Sequence, residues 1–395
     1  MEGEVQQKNI LYIGDVGNMG TALSIHALNI ARLFRKLGFE TTFLCDGDKS
    51  RQSFHEEYDG FEYFYTRRYI HIPKISAFEW MLDELTGWKY IREAKMMIRN
   101  QKPEIVILYG YAGEKRLIRL CKKNHIPILA ERVDWFEKSD RTSAFEKYFI
   151  QRQADRALLH TDRELDGIIA ISSYLKEHYE KMGQKAIQIP PIFEINQNQE
   201  IQRYAQTGEL RMVYAGSLGG KKDQILPVLE ALRNINAERI KIHLDIVGVD
   251  MKELQSATGR LDWDKFGVSA FGRCENAKAK NIVSHADFSL LLRENKRYAK
   301  AGFSTKFSES MSLGVPVICT KVGGADRLIT DMVDGVHVEN NETETICTKL
   351  MELLEKSSDE ILQMKENAYH TAEKIFSIDQ YTDKLRDFII ELKER

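Results

Sequence analysis

Long apolar runs are missing from this chain. No stretch approaches the roughly 20 consecutive apolar residues that span a bilayer, which excludes a transmembrane helix. Cysteines are few and unpatterned: Cys45, Cys121, Cys274, Cys319 and Cys347 are odd in number and form no Cys-x-x-Cys or Cys/His cluster. Neither a disulfide framework nor a zinc site is expected from them. A dominant charge is also absent. The net charge of −2 leaves no basic footprint for nucleic acid. The first eight residues are polar and lack the apolar core of a signal peptide. The expectation is a cytoplasmic protein, at most peripheral at the inner face of a membrane.

What is present is alternation. A chain of 395 residues exceeds one compact core, so two domains are the starting expectation. Asn9 to Gly14 reads as a strand, followed by Gly14, Gly17 and Gly20 and an amphipathic helix carrying Leu23, Ala27, Ile30, Ala31, Phe34 and Leu37. Glu40 to Asp46 is the next strand, which makes a βαβ start with a glycine-rich first turn. Phe54 to Asn100 is less regular and aromatic, with Arg67, Arg68, His71 and Lys74 clustered and a helix expected over 76–100. Its basic and aromatic mixture would suit anionic lipid head groups, although a helix packed on the sheet explains it as well. Strands recur at Ile105 to Leu108, Ile128 to Ala130, Gly167 to Ser172 and Ile187 to Ile189. A polar Gln/Asn-rich stretch, Phe193 to Glu209, reads as a linker. A second series of strands then begins at Leu210 and continues at Ile240, Val268, Phe288, Val315 and Val336. Strands alternating with helices imply parallel sheets covered on both faces. The last helix is expected from Ile378 to Lys393, with Ser377 as its N-cap and Gln380 completing a capping box.

The stretch Arg293 to Thr320 concentrates the chemistry. It follows the apolar run Phe288 to Leu292, carries Gly302, and enters a short helix near Ser304 or Thr305. Lys306 and Glu309 are three residues apart and share a helix face. Gly314 ends the helix and Val315 to Cys319 is the next strand. A cation, a carboxylate and free backbone N–H groups thus meet at the carboxyl edge of a parallel sheet, where open α/β folds bind ligands. Amides and lysine suit a phosphate, and the carboxylate suits paired sugar hydroxyls.

These motifs resemble the retaining nucleotide-sugar glycosyltransferases of family 4, the glycosyltransferase group 1 family. The resemblance rests on Tyr214 to Asp223, on Asp245-Ile246-Val247-Gly248 and above all on Ala301 to Ile318, with Asp166 to Ser172 matching in the first half. It covers nearly the whole chain and is strongest over residues 210–330. It implies an α/β protein of GT-B fold: two Rossmann-like, doubly wound parallel-sheet domains facing across a cleft. The domains would be 1–193 and 207–376, with residues 377–395 returning to the first. Lys222 is the implied diphosphate-binding lysine, with Lys221 as the competing register. Glu309, the second glutamate of the family pair, would bind the donor ribose. Gly17 and Gly20 would let the first domain's loop approach donor or acceptor, and Phe271 to Arg273 would lie beside the nucleobase. Ser217, Gly248, Arg293, Gly302, Phe303, Ser304 and Thr305 complete the implied donor site. The chain departs from the family where the first glutamate becomes Ala301, where an arginine becomes Ser217, and where Tyr109-Gly110-Tyr111 replaces a histidine. Lys306 is a candidate for the missing positive charge, and Arg293 is a second.

The implied reaction moves a hexosyl unit from a UDP-linked sugar to a glycan or lipid-linked acceptor, with retention and without a metal, in surface polysaccharide assembly. No cofactor beyond the donor substrate is implied. Fixed cations and helix N-termini would stabilise the departing diphosphate, and front-face attack requires no protein nucleophile. Asp134, just past a strand end, is an acceptor-side candidate. Other readings compete. Asp46-Gly47-Asp48 and Asp262-Trp263-Asp264 spell Asp-x-Asp, a metal motif elsewhere and here read as a turn and a loop. Gly14, Gly17 and Gly20 with Asp46 also resemble a dinucleotide fingerprint, hence an NAD(P)-dependent oxidoreductase. Ala301 and the missing histidine suit a non-catalytic nucleotide-sugar-binding relative. His26 and His285 fall in helical patterns and read as packing or surface histidines.

Overall fold

The computed structural model describes residues 8–47, 54–66, 86–196, 199–204, 208–218, 223–324 and 327–394. Lys221, Lys222, Asp48, Arg67, Arg68, His71 and Lys74 lie outside these, as does the first part of the helix expected over 76–100. The chain forms two compact units, Met1–Pro190 with Ile378–Arg395, and Pro191–Ser377. No helix among the described residues is long and apolar enough to cross a membrane.

The first unit is built on an eight-stranded sheet: β1 (Lys8–Ile13), β2 (Phe39–Cys45), β3 (His55–Tyr58), β4 (Phe61–Tyr65), β5 (Ile105–Tyr109), β6 (Ile128–Arg132), β7 (Gly167–Ala170) and β8 (Ala186–Gln188). Their order is β3-β4-β2-β1-β5-β6-β7-β8. Every pairing is parallel except β3 with β4. The apolar runs 10–13 of β1 and 105–108 of β5 are buried because helices cover a parallel sheet on both faces. The helix Ala22–Lys36 begins at Thr21, whose hydroxyl accepts from the N–H of Ser24 at 3.2 Å.

The C-terminal helix belongs to this unit and runs over Thr382–Lys393. A Cβ on Gly167 of β7 would lie 2.8 Å from Phe388 Cζ, so the glycine lets this helix sit close to the strand. The capping box expected at Ser377 does not form. Ser377 instead ends the helix Ser358–Phe376 in an extended conformation, and Ile378–Tyr381 is a 3₁₀ turn. Burial of Ile378 and Tyr381 fixes the chain there. Capping boxes occur at Ser357 with Glu360 and at Asp250 with Glu253.

The second unit holds β9 (Leu210–Ala215), β10 (Ile242–Val247), β11 (Val268–Ala270), β12 (Phe288–Leu291), β13 (Val317–Thr320) and β14 (Val336–Val338). The order β11-β10-β9-β12-β13-β14, all parallel, is the doubly wound arrangement whose switch point falls between β9 and β12. The Gln/Asn-rich stretch packs on this unit. Phe193 N–H donates to Phe376 O at 2.7 Å, and Tyr369 Oη to Asn196 O at 2.6 Å.

Lys365, 1% exposed, donates to Ala286 O at 2.5 Å. Burial lowers its ammonium from the ordinary 10.5 to about 8, although Asp287 opposes the shift. The unfolded chain therefore holds a proton that the folded one releases between those values. Stability is expected to rise with pH across that interval, and Lys365→Met should flatten the rise in urea titrations at successive pH values.

Candidate functional site

In the second unit, chain after chain leaves the sheet at the same edge. Gly216 follows β9 and its N–H donates to Val247 O at 2.8 Å; Gly248 follows β10 and donates to Gly272 O at 2.8 Å. Gly248 has φ +100°, and a Cβ there would meet Gly216 O at 2.8 Å. These two turns stay close only because neither carries a side chain. Arg293 follows β12 and is tied to the end of β13: its N–H donates to Thr320 Oγ1 at 2.9 Å, and that hydroxyl donates to Arg293 O at 2.8 Å.

Asp223 sits at the centre of this edge, and sequence reasoning gave it no role. Its carboxylate accepts from Lys306 Nζ at 2.6 Å on one oxygen and from Arg293 Nε at 2.9 Å on the other. Burial alone would raise its carboxyl, but Lys306 and Arg293 outweigh burial and hold it below the ordinary range. Lys306 Nζ lies 5.3 Å from the Tyr214 ring centroid, and only 2.6 Å from where a Gly216 Cβ would be. The two cations and one carboxylate leave a net positive charge beside the β9 turn.

Lys306 belongs to the helix Thr305–Ser312, with Ser304 at its N-cap position. Ser304 makes no side-chain capping bond, which leaves the first N–H groups open to an acceptor. Glu309 does not pair with Lys306. Its Oε1 lies 3.4 Å from Lys280 Nζ, and this buried oxygen makes no hydrogen bond within the protein. An unsatisfied buried carboxylate oxygen is costly, and a ligand hydroxyl would relieve it. Gly302, Phe303 and Ser304 line a hollow of about 20 Å³ with Arg293 and Thr320. Ala301, 0% exposed, ends the short helix before it. Phe271, 43% exposed, and Arg273 stand at the end of β11, and Ser217 is exposed after β9.

The first unit has its own cavity, of about 420 Å³, lined by Asp134, Asp15, Tyr109, Tyr111 and Arg132 among others. Burial and then the neighbouring Asp46 raise the Asp15 carboxyl. Burial, with Asp134 adding to it, also raises the phenols of Tyr109 and Tyr111. Beneath the cavity Arg132 is held bidentately by Asp162, at 2.9 and 2.6 Å, and also by Glu114. His26, 3% exposed, contacts Glu131 at 2.5 Å. Gly17 lies under Tyr65 and Cys45, whose atoms would be 2.5 and 2.8 Å from a Cβ, while Gly20 has φ +83° and open space around it. Asp46, the acid of the dinucleotide reading, accepts from buried Lys89 at 2.7 Å. Asp262 accepts from Arg260 at 3.1 Å. Among the described residues no group of three or more His, Cys, Asp or Glu is placed to hold a metal.

Comparison with solved structures defines the fold. Sucrose-phosphate synthase from Thermosynechococcus elongatus matches with a TM-score of 0.75 at 11% identity, over 98% of this chain and 99% of that one. HepE of Anabaena, solved with UDP and glucose, matches at 0.70 and 14%, over 97% and 100%. The lipopolysaccharide outer core galactosyltransferase WaaB matches at 0.67 and 17%, over 97% and 99%. The fold is GT-B. The family model of glycosyl transferases group 1 matches residues 196–371, and that of glycosyltransferase family 4 matches residues 23–194. The chain belongs to this glycosyltransferase family. No curated protein matches it.

Proposed function

We propose that the chain is a retaining hexosyltransferase that takes its sugar from a UDP-linked donor and needs no resident metal. The observation that carries this reading is the Glu309 carboxylate oxygen, buried without a hydrogen bond, on the helix that presents Lys306. A nucleoside diphosphate suits the whole group: ribose hydroxyls for Glu309, and phosphate oxygens for the open N–H groups at Thr305 and for the charge that Lys306 and Arg293 carry in excess of Asp223. Phe271 offers a face for the base. The Anabaena relative was solved with UDP and with UDP-glucose, which supports the choice of nucleotide.

In the proposed reaction the bond from the anomeric carbon to the diphosphate oxygen breaks while the acceptor oxygen bonds to the same face. The acceptor proton passes to the departing phosphate oxygen. Lys306 and Arg293 stabilise charge growing on that group, which is the electrostatic task a metal performs elsewhere. Lys222 or Lys221 would add to it. The acceptor is a glycan or lipid-linked glycan held in the Asp134 cavity, at the cytoplasmic face of a membrane and in surface polysaccharide assembly. Carboxylates and tyrosines lining that cavity suit hydroxyl recognition.

Buried Ala301 favours one other reading, a relative that binds nucleotide without transferring sugar. Proton NMR of a UDP-hexose incubated with the protein separates the two. Slow release of the hexose with its donor anomeric configuration is expected. The opposite anomer would contradict retention, and UDP binding without hydrolysis or transfer would favour the non-catalytic relative.

A further inference from the structure

We infer that the first unit docks on anionic membrane lipid through the helices Glu114–Lys123 and Gln151–Leu159. A groove of about 360 Å³ lies here, and Lys115, Arg116, Arg152, Arg156, Tyr148 and Phe149 line it. The helix spacing explains the grouping. Arg152 and Arg156 fall four residues apart and share one face of Gln151–Leu159, with Tyr148 and Phe149 in the π-helical turn Glu146–Ile150 just before it, while Gln151, Ala154, Ala157 and Leu158 turn inward. Arg116 reaches the same groove from the other helix and stacks 5.1 Å from the Trp88 ring centroid.

Two features identify the partner. The first is charge. None of the four cations forms an ion pair with a carboxylate among the described residues, although other surface cations do, such as Arg32 with Asp59 and Lys36 with Asp379. The carboxylate lining the groove, Glu114, is 5% exposed and occupied by Arg132. In a chain of net charge −2, this is a local concentration rather than a general excess. The second is the aromatic rim. Trp88 is 62% exposed, Tyr148 58% and Phe149 48%. A soluble anion would use the cations but has no need of large exposed rings. A bilayer uses both, because phosphate head groups meet the cations while aromatic rings settle at the head-group level. The groove shares Tyr111 and Glu114 with the Asp134 cavity. Lipid held here would therefore present a lipid-linked glycan to that cavity. The inference deepens the membrane side of the proposed function, and it is tested without donor or turnover.

The full chain is sedimented with vesicles of phosphatidylcholine alone and of phosphatidylcholine mixed with phosphatidylglycerol. Binding is expected only to the second, with Trp88 emission shifting to the blue and Trp88→Phe removing that shift. Each basic residue near an anionic surface contributes about fivefold, so R152Q/R156Q should weaken binding roughly 30-fold. K115Q/R116Q, on the other helix, should do the same and covers the case in which the first pair fails to fold. UDP affinity should be unchanged in both, which separates this test from that of the donor site. Equal binding to the two vesicle types, or folded variants that bind like the wild type, would overturn the inference. So would displacement by inorganic phosphate beyond that of sodium chloride at equal ionic strength, which would mark a free-phosphate site.

Discussion

Replacing Lys306 by alanine is expected to lower turnover by about two orders of magnitude while weakening UDP binding only several-fold. The reason is the timing of the charge. In the proposed complex the diphosphate charge would already be shared by other groups, whereas charge growing as the sugar departs would fall on the nearest fixed cation. Removing one preorganised donor from such a position costs about 100-fold or more. Lys306 is fixed by Asp223 at 2.6 Å and by the Tyr214 ring, and lies across the Gly216 turn. Single-turnover rates and titration calorimetry separate the two effects, and equal losses in both would confine Lys306 to ground-state binding.

The same cluster makes a stability prediction. Lys306 and Arg293 hold the Asp223 carboxyl below its unfolded value, so its contribution is complete above the ordinary carboxylate pKa. That contribution disappears as pH falls through the lowered folded value. Asp223→Ala leaves Arg293, only 13% exposed, without its partner and should cost on the order of 3 kcal/mol at neutral pH. The wild type and the variant should converge in acid.

Glu309→Ala should reduce affinity for UDP about 30- to 150-fold, the loss expected when hydrogen bonds to one charged group, together about 2–3 kcal/mol, disappear. Its own fold should scarcely notice. The Glu309 side chain makes no hydrogen bond within the protein, and its neighbour Lys280 is 44% exposed, so the ion pair is weak. Affinity should therefore fall without a matching fall in melting temperature. Glu309→Gln should lie between, because a neutral amide oxygen still accepts. Calorimetric titration of the three proteins with UDP tests the order.

Some of this was legible in the residues and some was not. Parallel strands announce themselves because they are buried on both faces, and Ile105 to Leu108 and Phe288 to Leu292 read directly as such. The β3–β4 pair was missed. His55-Glu56-Glu57-Tyr58 is a mostly exposed edge strand with no apolar alternation, and it pairs antiparallel in a sheet that is otherwise parallel. The expected cap at Ser377 looked right locally, but the burial of Ile378 and Tyr381 decided the chain's path. Asp223 closes the Tyr214 to Asp223 segment, but nothing in that segment gave the carboxylate a role. Its partners are 70 and 83 residues away, and only the order of the strands brings all three to one edge. Lys306 and Glu309 share a helix face as their spacing implies, and they do not pair with each other: Lys306 meets Asp223, and Glu309 lies near Lys280.

The most direct measurement is the melting temperature of the wild type and of Glu309→Ala with UDP, UDP-sugars or NADH. UDP and its sugars should raise the melting temperature of the wild type, have little effect on the variant, and NADH should leave both unchanged. Stabilisation by NADH, or equal stabilisation of both proteins by UDP, would contradict a nucleotide-sugar site built around Glu309.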